Sequence, residues 1–418
     1  MMKMNKLRRE IIKAAGYVAL TAAPLTAFSK EFMKDGSMYS DGEGVSYADG
    51  PKPVLSTFPQ KDNLVIVHTR PPHLETPFNV FNEGLITPNN RFFVRYHLAD
   101  VPVAIDTDKY TITISGSVDK EVKLSLAELK AIEGQQEIVA VQQCTGNSRG
   151  YSSPRVFGAQ LSNGAMGNAK FKGVPLKNVL AKAGISSAAT SVIIDGLDKP
   201  VRDTTPDFQK SLPIDHIMTG EPMLVWEMNG EPLPFLNGFP VKLIVPGWYA
   251  TYWVKHVSHL KVIEDEFDNF DAFFMTTGYR LPDNDTKSEL PNKRAKTTLP
   301  VNRFPIRSFV TSLENGDDVN ASTSIEIKGI AFDSGSGIKN VEISVDGGTK
   351  WMPTTLGEDL GRFSFRGWKL SHSFSEKGRT LVMVRATGNS GETQSVNASW
   401  NHGGYNRNAI ERTSIKVV

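Results

Sequence analysis

The residue with the greatest chemical capacity is Cys144, the only cysteine in the chain. A single cysteine cannot form an internal disulfide or an all-cysteine zinc site. A free cysteine is most often a buried, inert thiol. The alternative is that its sulfur binds a metal, and Arg149, five residues on, would favour the thiolate form that binds metals. Glycine and asparagine beside Cys144 predict a loop around it.

Two further clusters would complement a metal at this cysteine. In residues 93–97, strand alternation places Arg95 and His97 on the same face, and Tyr279 lies in 275–280, a predicted loop. A thiolate binds soft metals, whereas guanidinium groups bind oxyanions. Together these residues suit a metal site that acts on a small oxyanion. Taken singly, Arg95 is more often part of a surface ion pair than of a catalytic site. His97, taken singly, is more often a hydrogen-bonded core histidine than a catalytic residue.

The N-terminus predicts where the protein works. The pair Arg8-Arg9 precedes a weakly apolar stretch that ends in small residues, a pattern typical of a twin-arginine export signal. Lys13 and Pro24 interrupt the stretch, so we expect no permanent transmembrane helix. Residues 1–29 are therefore predicted to be a signal that directs the chain to the periplasm. Because this route carries folded proteins, it also favours a protein with a cofactor inserted in the cytoplasm.

The charge balance narrows the class of partner. The chain carries a net charge of +2, of which residues 1–29 contribute +4, so the remainder is close to −2. This balance argues against nucleic-acid binding, which requires a basic face. No other segment is apolar enough to span a bilayer.

Composition and periodicity divide the remaining chain into three parts. Residues 30–60 are rich in Gly, Ser, Asp and Pro and predict an extended arm with little structure. Residues 61–290 mix short strands and helices, as in an α+β domain with many loops. The helices are predicted after Ser125, which opens a capping box with Glu128, and from Pro175. The strands in this part are predicted at 91–97, 110–116, 137–142, 191–194 and 241–245.

The last part has a different character. Residues 285–300 read as a polar linker, and residues 291–418 predict an all-β sandwich of immunoglobulin type. Its alternating segments are separated by turn signals such as 333–337 and 346–348. The strands in this part are predicted at 324–332, 341–345, 380–387 and 413–418.

Several motifs in combination resemble the sulfite oxidase family of molybdenum enzymes, and the bacterial periplasmic sulfite dehydrogenases above all. The resemblance covers residues 60–418 approximately. It rests on residues 92–97, 143–149, 163–169, 173–176, 195–198, 227–234, 238–242, 245–247 and 254–255. It implies a molybdopterin-binding α+β domain of sulfite oxidase type, followed by an immunoglobulin-like dimerisation domain.

The resemblance also implies roles for individual residues. Cys144 would bind molybdenum together with the dithiolene of molybdopterin, and the substrate pocket would be lined by Arg95, His97, Arg149 and Tyr279. The cofactor contacts would be Phe93, Val94, Arg95, Tyr96, His97, Asp198, Asn237, Lys242, Val254 and Lys255. Two positions depart from the animal enzymes, which have a histidine at 237 and an arginine at 242. Asn237 and Lys242 can still bind the cofactor's phosphate by hydrogen bond and charge.

The function implied by the resemblance is oxidation of sulfite to sulfate, with electrons passed singly to a separate carrier. The single cysteine excludes a covalent c-type haem on this chain, so the expected acceptor is a separate c-type cytochrome. The sandwich suggests a homodimer. One alternative is a molybdenum-dependent reductase of a sulfoxide or other oxo compound, although that related family lacks the C-terminal sandwich. The other is a periplasmic binding protein that has lost the metal.

Overall fold

The computed structural model describes residues 54–55, 58–270 and 272–418. The predicted export signal, and most of the predicted arm, lie outside these residues. In the described part the chain is built mostly from strands, which form six sheets, and its α-helices are short. The four α-helices are α1 (Leu126–Lys130), α2 (Leu176–Leu180), α3 (Ile214–Met218) and α4 (Phe273–Thr276). The 3-10 helices are Phe78–Asn82, Asn89–Arg91, Arg149–Tyr151, Phe235–Asn237 and Ala250–Tyr252.

Three sheets build the first part of the described chain. An antiparallel sheet contains β1 (Val54–Leu55), β2 (Leu64–His68), β3 (His73–Glu75) and β4 (Val94–Arg95) in that order. A second sheet consists of β5 (Thr111–Gly116), β6 (Val122–Ser125), β9 (Ser191–Gly196), β10 (Lys210–Pro213) and β14 (Val257–Ile263). A third consists of β7 (Gln136–Gln143), β8 (Met166–Pro175), β11 (Met223–Met228), β12 (Glu231–Pro232) and β13 (Lys242–Ile244). The strand order is β10-β9-β14-β5-β6 in the second sheet and β12-β11-β8-β7 in the third, where β13 also pairs with β11.

One apolar core lies beneath the second and third sheets. Ile112, Val192 and Leu260 from the second sheet and Phe171 and Leu224 from the third belong to it, and all five are fully buried. Strand β14 pairs with β5 in parallel, whereas the other pairings within these two sheets are antiparallel. The burial of apolar surface in this core is the main force that holds the strand ends in register.

The last part of the chain is β-rich. A two-stranded sheet of β15 (Arg280–Pro282) and β16 (Thr298–Pro300) precedes two larger sheets that share one apolar core, with Ile327 and Trp368 from one and Ile343 and Val384 from the other. One sheet has the order β17-β19-β23-β22, and the other has the order β18-β25-β24-β20-β21. The first consists of β17 (Arg307–Val310), β19 (Ser324–Phe332), β22 (Thr355–Leu356) and β23 (Arg366–Ser373). The second consists of β18 (Asp318–Val319), β20 (Ile338–Ser344), β21 (Met352–Pro353), β24 (Gly378–Gly388) and β25 (Glu411–Val417).

A buried arginine of the last part of the chain joins an ion pair within that part to a loop of the first part. Arg307 of β17 is 1% exposed and donates from Nη2 to Glu411 Oε1 at 2.6 Å. The same nitrogen donates to Ser148 Oγ at 3.0 Å, and Ser148 belongs to the loop that follows β7. A shared apolar cluster, which includes Val141 of β7 and Phe309 of β17, lies alongside. The C-terminal sheets therefore support the loop that contains Cys144.

Several local predictions agree with the structure. The capping box at α1 is present, since Ser125 N donates to Glu128 Oε2 at 2.8 Å and Glu128 N donates to Ser125 Oγ at 3.2 Å. The strands predicted within 110–116, 137–142, 191–194 and 324–332 are all found. Helix α2 begins at Leu176, one residue after the predicted start at Pro175.

Other local predictions are wrong. The strand predicted over 91–97 is reduced to Val94–Arg95, because residues 89–91 form a 3-10 helix. The predicted loop 275–280 begins inside α4, and the predicted linker 285–300 contains β16. The linker is also anchored, since Glu289 Oε1 accepts from the backbone nitrogen of His402 at 2.9 Å. The α+β class and the immunoglobulin type of the last part stay predictions.

Candidate active site

A cavity opens where the ends of several strands converge. The empty space between its lining atoms, which includes open solvent at its mouth, is about 480 Å³. Eight residues predicted for the site line it: Phe93, Arg95, Tyr96, His97, Cys144, Asp198, Lys255 and Tyr279. The other lining residues are Gln142, Thr145, Phe208, Ala250, Thr251 and Trp253. The structure therefore brings together the three clusters that lie far apart in the sequence.

Strand β7 delivers Cys144 to the cavity. The strand changes from exposed at Gln136 to buried at Gln143, so its carboxyl end enters the core. Cys144 follows directly, is 7% exposed, and its backbone nitrogen donates to the carbonyl of Ala165 at 2.9 Å. The next turn is closed by Asn147, whose nitrogen donates to the Cys144 carbonyl at 3.0 Å. These bonds fix the backbone on both sides of the thiol, in a loop as predicted.

Arg95 and His97 reach the cavity by a different geometry from the one predicted. Arg95 ends β4, and His97 lies beyond the strand, yet both half-buried side chains line the cavity. Arg95 donates from Nη1 to the Tyr96 carbonyl at 2.8 Å. Among the described residues no carboxylate pairs with this guanidinium, so its positive charge is available to an anion in the cavity.

A hydrogen bond joins His97 Nε2 to the hydroxyl of Tyr279. The His97 ring stacks on Phe208 with centroids 3.7 Å apart. Burial, followed by the charges of Arg95 and Lys255, holds the pKa of His97 well below its usual value, so the ring is neutral at physiological pH. Burial raises the pKa of Tyr279, which keeps its hydroxyl protonated. The pair presents a neutral imidazole and a phenol to the cavity.

Asp198 and Lys255 both line the cavity, and their charges influence each other. Burial raises the pKa of Asp198 to about 6, and the charge of Lys255 opposes this shift. Burial lowers the pKa of Lys255 to about 7, and the charge of Asp198 opposes that shift. The Lys255 ammonium also donates to the Arg95 carbonyl and lies 4.0 Å from the centre of the Tyr96 ring. Lys255 thus ties the Arg95 backbone to the pocket wall.

Arg149 lies beside the cavity without lining it. Its Nε donates to the carbonyl of Gly403 at 2.9 Å, and its guanidinium carbon lies 5.3 Å from the centre of the Tyr405 ring. Tyr405 stacks on Tyr279 at 5.3 Å, so the C-terminal region covers the back of the tyrosine. Gly146 leaves the space for the arginine, since a Cβ there would lie 2.5 Å from Arg149 Nη2. The predicted substrate role of Arg149 stays a prediction.

Two predicted cofactor residues lie directly behind the cavity wall. Lys242 is fully buried and donates to Oε1 of Gln142, a lining residue, at 2.5 Å. Asn237 is 1% exposed and donates from Nδ2 to the carbonyl of Phe93, another lining residue, at 3.1 Å. Burial, together with the charges of Lys255 and Lys61, lowers the pKa of Lys242.

Val94 and Val254 do not line the cavity. Val94 is buried in a separate apolar group with Leu64 and Leu74, and Val254 belongs to the main core. Their side chains therefore pack rather than face a ligand, and a cofactor contact at either position would have to involve the backbone.

Some residues around the cavity were not predicted from the sequence. The hydroxyl oxygens of Thr145 and Thr251 line it and are buried, yet neither has a hydrogen-bond partner in the described part of the protein. Buried hydroxyls are normally hydrogen-bonded, so both are suited to a polar ligand. Gln142 and Tyr405 were also missed. Gln142 could have been found from strand alternation, since it lies two residues before Cys144, but Tyr405 joins the site only through the tertiary fold.

Two family models match the chain. Residues 97–271 match the oxidoreductase molybdopterin binding domain, and residues 298–418 match the Mo-co oxidoreductase dimerisation domain. Together they span most of the chain, and the first contains Cys144, Asp198 and Lys255. Among the described residues no group of three or more His, Cys, Asp and Glu side chains is placed to hold a metal ion.

The chain is also similar to known sulfite oxidases in sequence and to a sulfane dehydrogenase in fold. The chain is 30% identical to mitochondrial sulfite oxidase of Rattus norvegicus over 377 residues, which cover 85% of this chain and 66% of the rat protein. It is 27% identical to sulfite oxidase of Arabidopsis thaliana, over 83% of this chain and 88% of the plant protein. The fold resembles the sulfane dehydrogenase SoxCD from Paracoccus pantotrophus, with a TM-score of 0.69 at 23% identity, over 83% of this chain and 87% of that one. No described helix is long and apolar enough to cross a membrane.

Proposed function

Because this chain belongs to the sulfite oxidase family of molybdenum oxidoreductases, we propose that it oxidises sulfite to sulfate. The observation that carries this proposal is the cavity in which Cys144 lies together with the unpaired Arg95 guanidinium and the His97–Tyr279 pair. Sulfite is a small anion, and the cavity offers it a positive charge and neutral hydrogen-bonding groups beside the thiol.

The described residues fit a molybdenum pterin cofactor. The unpartnered hydroxyls of Thr145 and Thr251 offer hydrogen bonds to a polar ring system, and the buried ammonium of Lys242 offers charge to a phosphate. Cys144 would hold the metal through its sulfur, while Asp198 and Lys255 would contact the pterin. When bound, this cofactor supplies the two-electron oxidation, which no side chain of the protein can perform.

The protein's own residues bind and orient the substrate. Arg95 attracts the anion and fixes its oxygens by charge-assisted hydrogen bonds. The Tyr279 hydroxyl, held by neutral His97, donates to or accepts from a group in the cavity, and the pair offers a short route for a proton. Phe208 and Trp253 supply apolar wall that reduces the water around the charges, which strengthens their interaction with the anion.

We propose that the electrons from sulfite oxidation pass to a separate protein. We place the acceptor in a separate c-type cytochrome, because the single cysteine excludes a covalent c-type haem on this chain. The paired arginines at positions 8 and 9 support export to the periplasm by the twin-arginine route. The match to a dimerisation domain at 298–418 supports a homodimer built through an immunoglobulin-type sandwich.

Replacement of the thiol tests the proposal. Cys144→Ser should leave a folded protein without sulfite turnover, because a serine hydroxyl is a poor ligand for a soft metal. Turnover is measured as sulfite-dependent reduction of cytochrome c, and folding is measured by circular dichroism and thermal unfolding. Activity that persists in this variant refutes the assignment of Cys144 as the metal ligand. Metal-loaded wild-type protein that reduces a sulfoxide but does not oxidise sulfite would favour the alternative function, a molybdenum-dependent reductase of a sulfoxide or other oxo compound.

A further inference from the structure

Lys61 is a buried lysine that the resemblance leaves without a role. It is 5% exposed and lies before the region matched by the molybdopterin-binding family model. Its ammonium donates to the carbonyls of Asn89 at 2.5 Å and Phe92 at 3.1 Å, and to Oδ1 of Asn237. Among the described residues no carboxylate pairs with it, so a positive charge is buried with hydrogen bonds but without a counter-charge.

Lys61 belongs to a cluster of buried lysines that repel one another. Burial, followed by the charge of Lys255, lowers the pKa of Lys61, and burial, followed by the charges of Lys255 and Lys61, lowers the pKa of Lys242. Asp198 opposes the shift of Lys255. Buried charges are normally paired, so three lysines with one carboxylate leave an excess of positive charge. Such a cluster is suited to an anion that arrives with a ligand.

The contacts of Asn237 place this charge beside the active site. Its Oδ1 accepts from Lys61, while its Nδ2 donates to the carbonyl of Phe93, which lines the cavity. The bond from Lys61 therefore fixes which way the Asn237 amide points.

We propose that Lys61 completes a buried anion site, together with Asn237, Lys242 and Lys255, for the phosphate end of the pterin cofactor. Lys61 is a positioning residue: its three hydrogen bonds are taken by protein oxygens, and it acts through its charge and through the orientation of Asn237. The inference rests on the cofactor of the proposed function, but it does not depend on sulfite as the substrate.

Charge-changing variants test this proposal in the full-length, exported protein. Lys61→Met removes the charge, Lys61→Arg retains it, and Lys109→Met is the control, since Lys109 is a surface residue with a side chain 85% exposed. The measurements are pterin and molybdenum per chain, the rate of pterin release on warming, and the Tm of loaded and cofactor-free protein. None of them uses turnover, so a loaded protein that fails to oxidise sulfite would refute the proposed function alone.

We expect Lys61→Met to release pterin about tenfold faster, the effect of one lost interaction between a buried charge and an anion. Lys61→Arg and Lys109→Met should release it at nearly the wild-type rate. The Tm of loaded Lys61→Met should fall by more than the Tm of its cofactor-free form. An unchanged release rate, or an equal fall in both Tm values, would overturn the proposal, because a purely structural lysine affects both forms alike.

A second measurement covers the case in which Lys61→Met does not fold. Cofactor-free wild-type protein is heated in inorganic phosphate and in chloride at matched ionic strength. A vacant anion site predicts a higher Tm in phosphate, because a ligand that binds the native state stabilises it. Equal Tm values in the two salts would contradict the site.

Discussion

The substitution Arg95→Gln separates substrate binding from folding. The Arg95 guanidinium lines the cavity, has no carboxylate partner in the described part of the protein, and donates to the Tyr96 carbonyl. Glutamine keeps a polar side chain that can donate to this carbonyl, but it lacks the charge. The backbone carbonyl that accepts from Lys255 is unaffected. The variant should therefore fold as the wild type does.

The size of the effect follows from the interaction that is lost. A hydrogen bond to a charged group contributes about 1.5–3 kcal/mol, which corresponds to a change in affinity of roughly tenfold to a hundredfold. We therefore expect the KM for sulfite to rise by this factor. The pKa of His97 should rise as well, because the charge of Arg95 contributes to its depression. The acid side of the pH profile should accordingly move to higher pH.

The assay is initial-rate cytochrome c reduction over a range of sulfite concentrations, with rates normalised to molybdenum content. Arg294→Gln is the matched control, because Arg294 is exposed and lies outside the cavity. Its KM should equal that of the wild type. An Arg95→Gln variant with normal molybdenum content and an unchanged KM would remove Arg95 from the substrate pocket.

Three further predictions concern the surroundings of the site. Tyr405→Ala should lower kcat about threefold to tenfold, because it removes a ring stack on Tyr279 that contributes about 0.5–1.5 kcal/mol. Tyr405→Phe keeps the ring and should retain the wild-type rate. Equal rates in the wild type and both variants would exclude a positioning role for Tyr405. Arg307→Met should lower the free energy of unfolding by about 3–5 kcal/mol, because it breaks the buried ion pair with Glu411. Arg407 Nε also lies 3.4 Å from Glu411 Oε1, so a loss below about 1 kcal/mol in urea unfolding would show that Arg407 compensates. Stability of the cofactor-free protein should rise with pH from about 7 towards the unfolded pKa of lysine, because Lys61 and Lys255 each have a folded pKa of about 7 and the unfolded state binds more protons over that range. Lys61→Met should reduce this slope in urea titrations, and an identical slope would show that Lys61 does not contribute to it.

The local chemistry of the sequence predicted single elements well. Ser125 and Glu128 form their capping box because both partners lie within one helical turn. The loop at Cys144 was also predicted correctly, since glycine and asparagine disfavour regular structure there. Both features depend on residues that are close together in the sequence, so the sequence alone is sufficient to predict them.

Contacts between distant parts of the chain were harder to predict. Arg95 and His97 were predicted for one pocket, but the way they reach it was not, because Phe208 and Tyr279 hold the His97 ring from other parts of the chain. Lys61 was assigned no role because its partners lie about 30 and 176 positions away. The contact of Tyr405 with Tyr279 likewise requires the C-terminal sheets to dock on the first part of the chain.

The most direct test of the central claim is a combined measurement on the purified, exported protein. Molybdenum and pterin per chain are measured together with sulfite-dependent reduction of cytochrome c. We expect about one molybdenum per chain and turnover that scales with it across preparations. Protein matured with cofactor available that contains neither molybdenum nor pterin, or that contains both without oxidising sulfite, would contradict it.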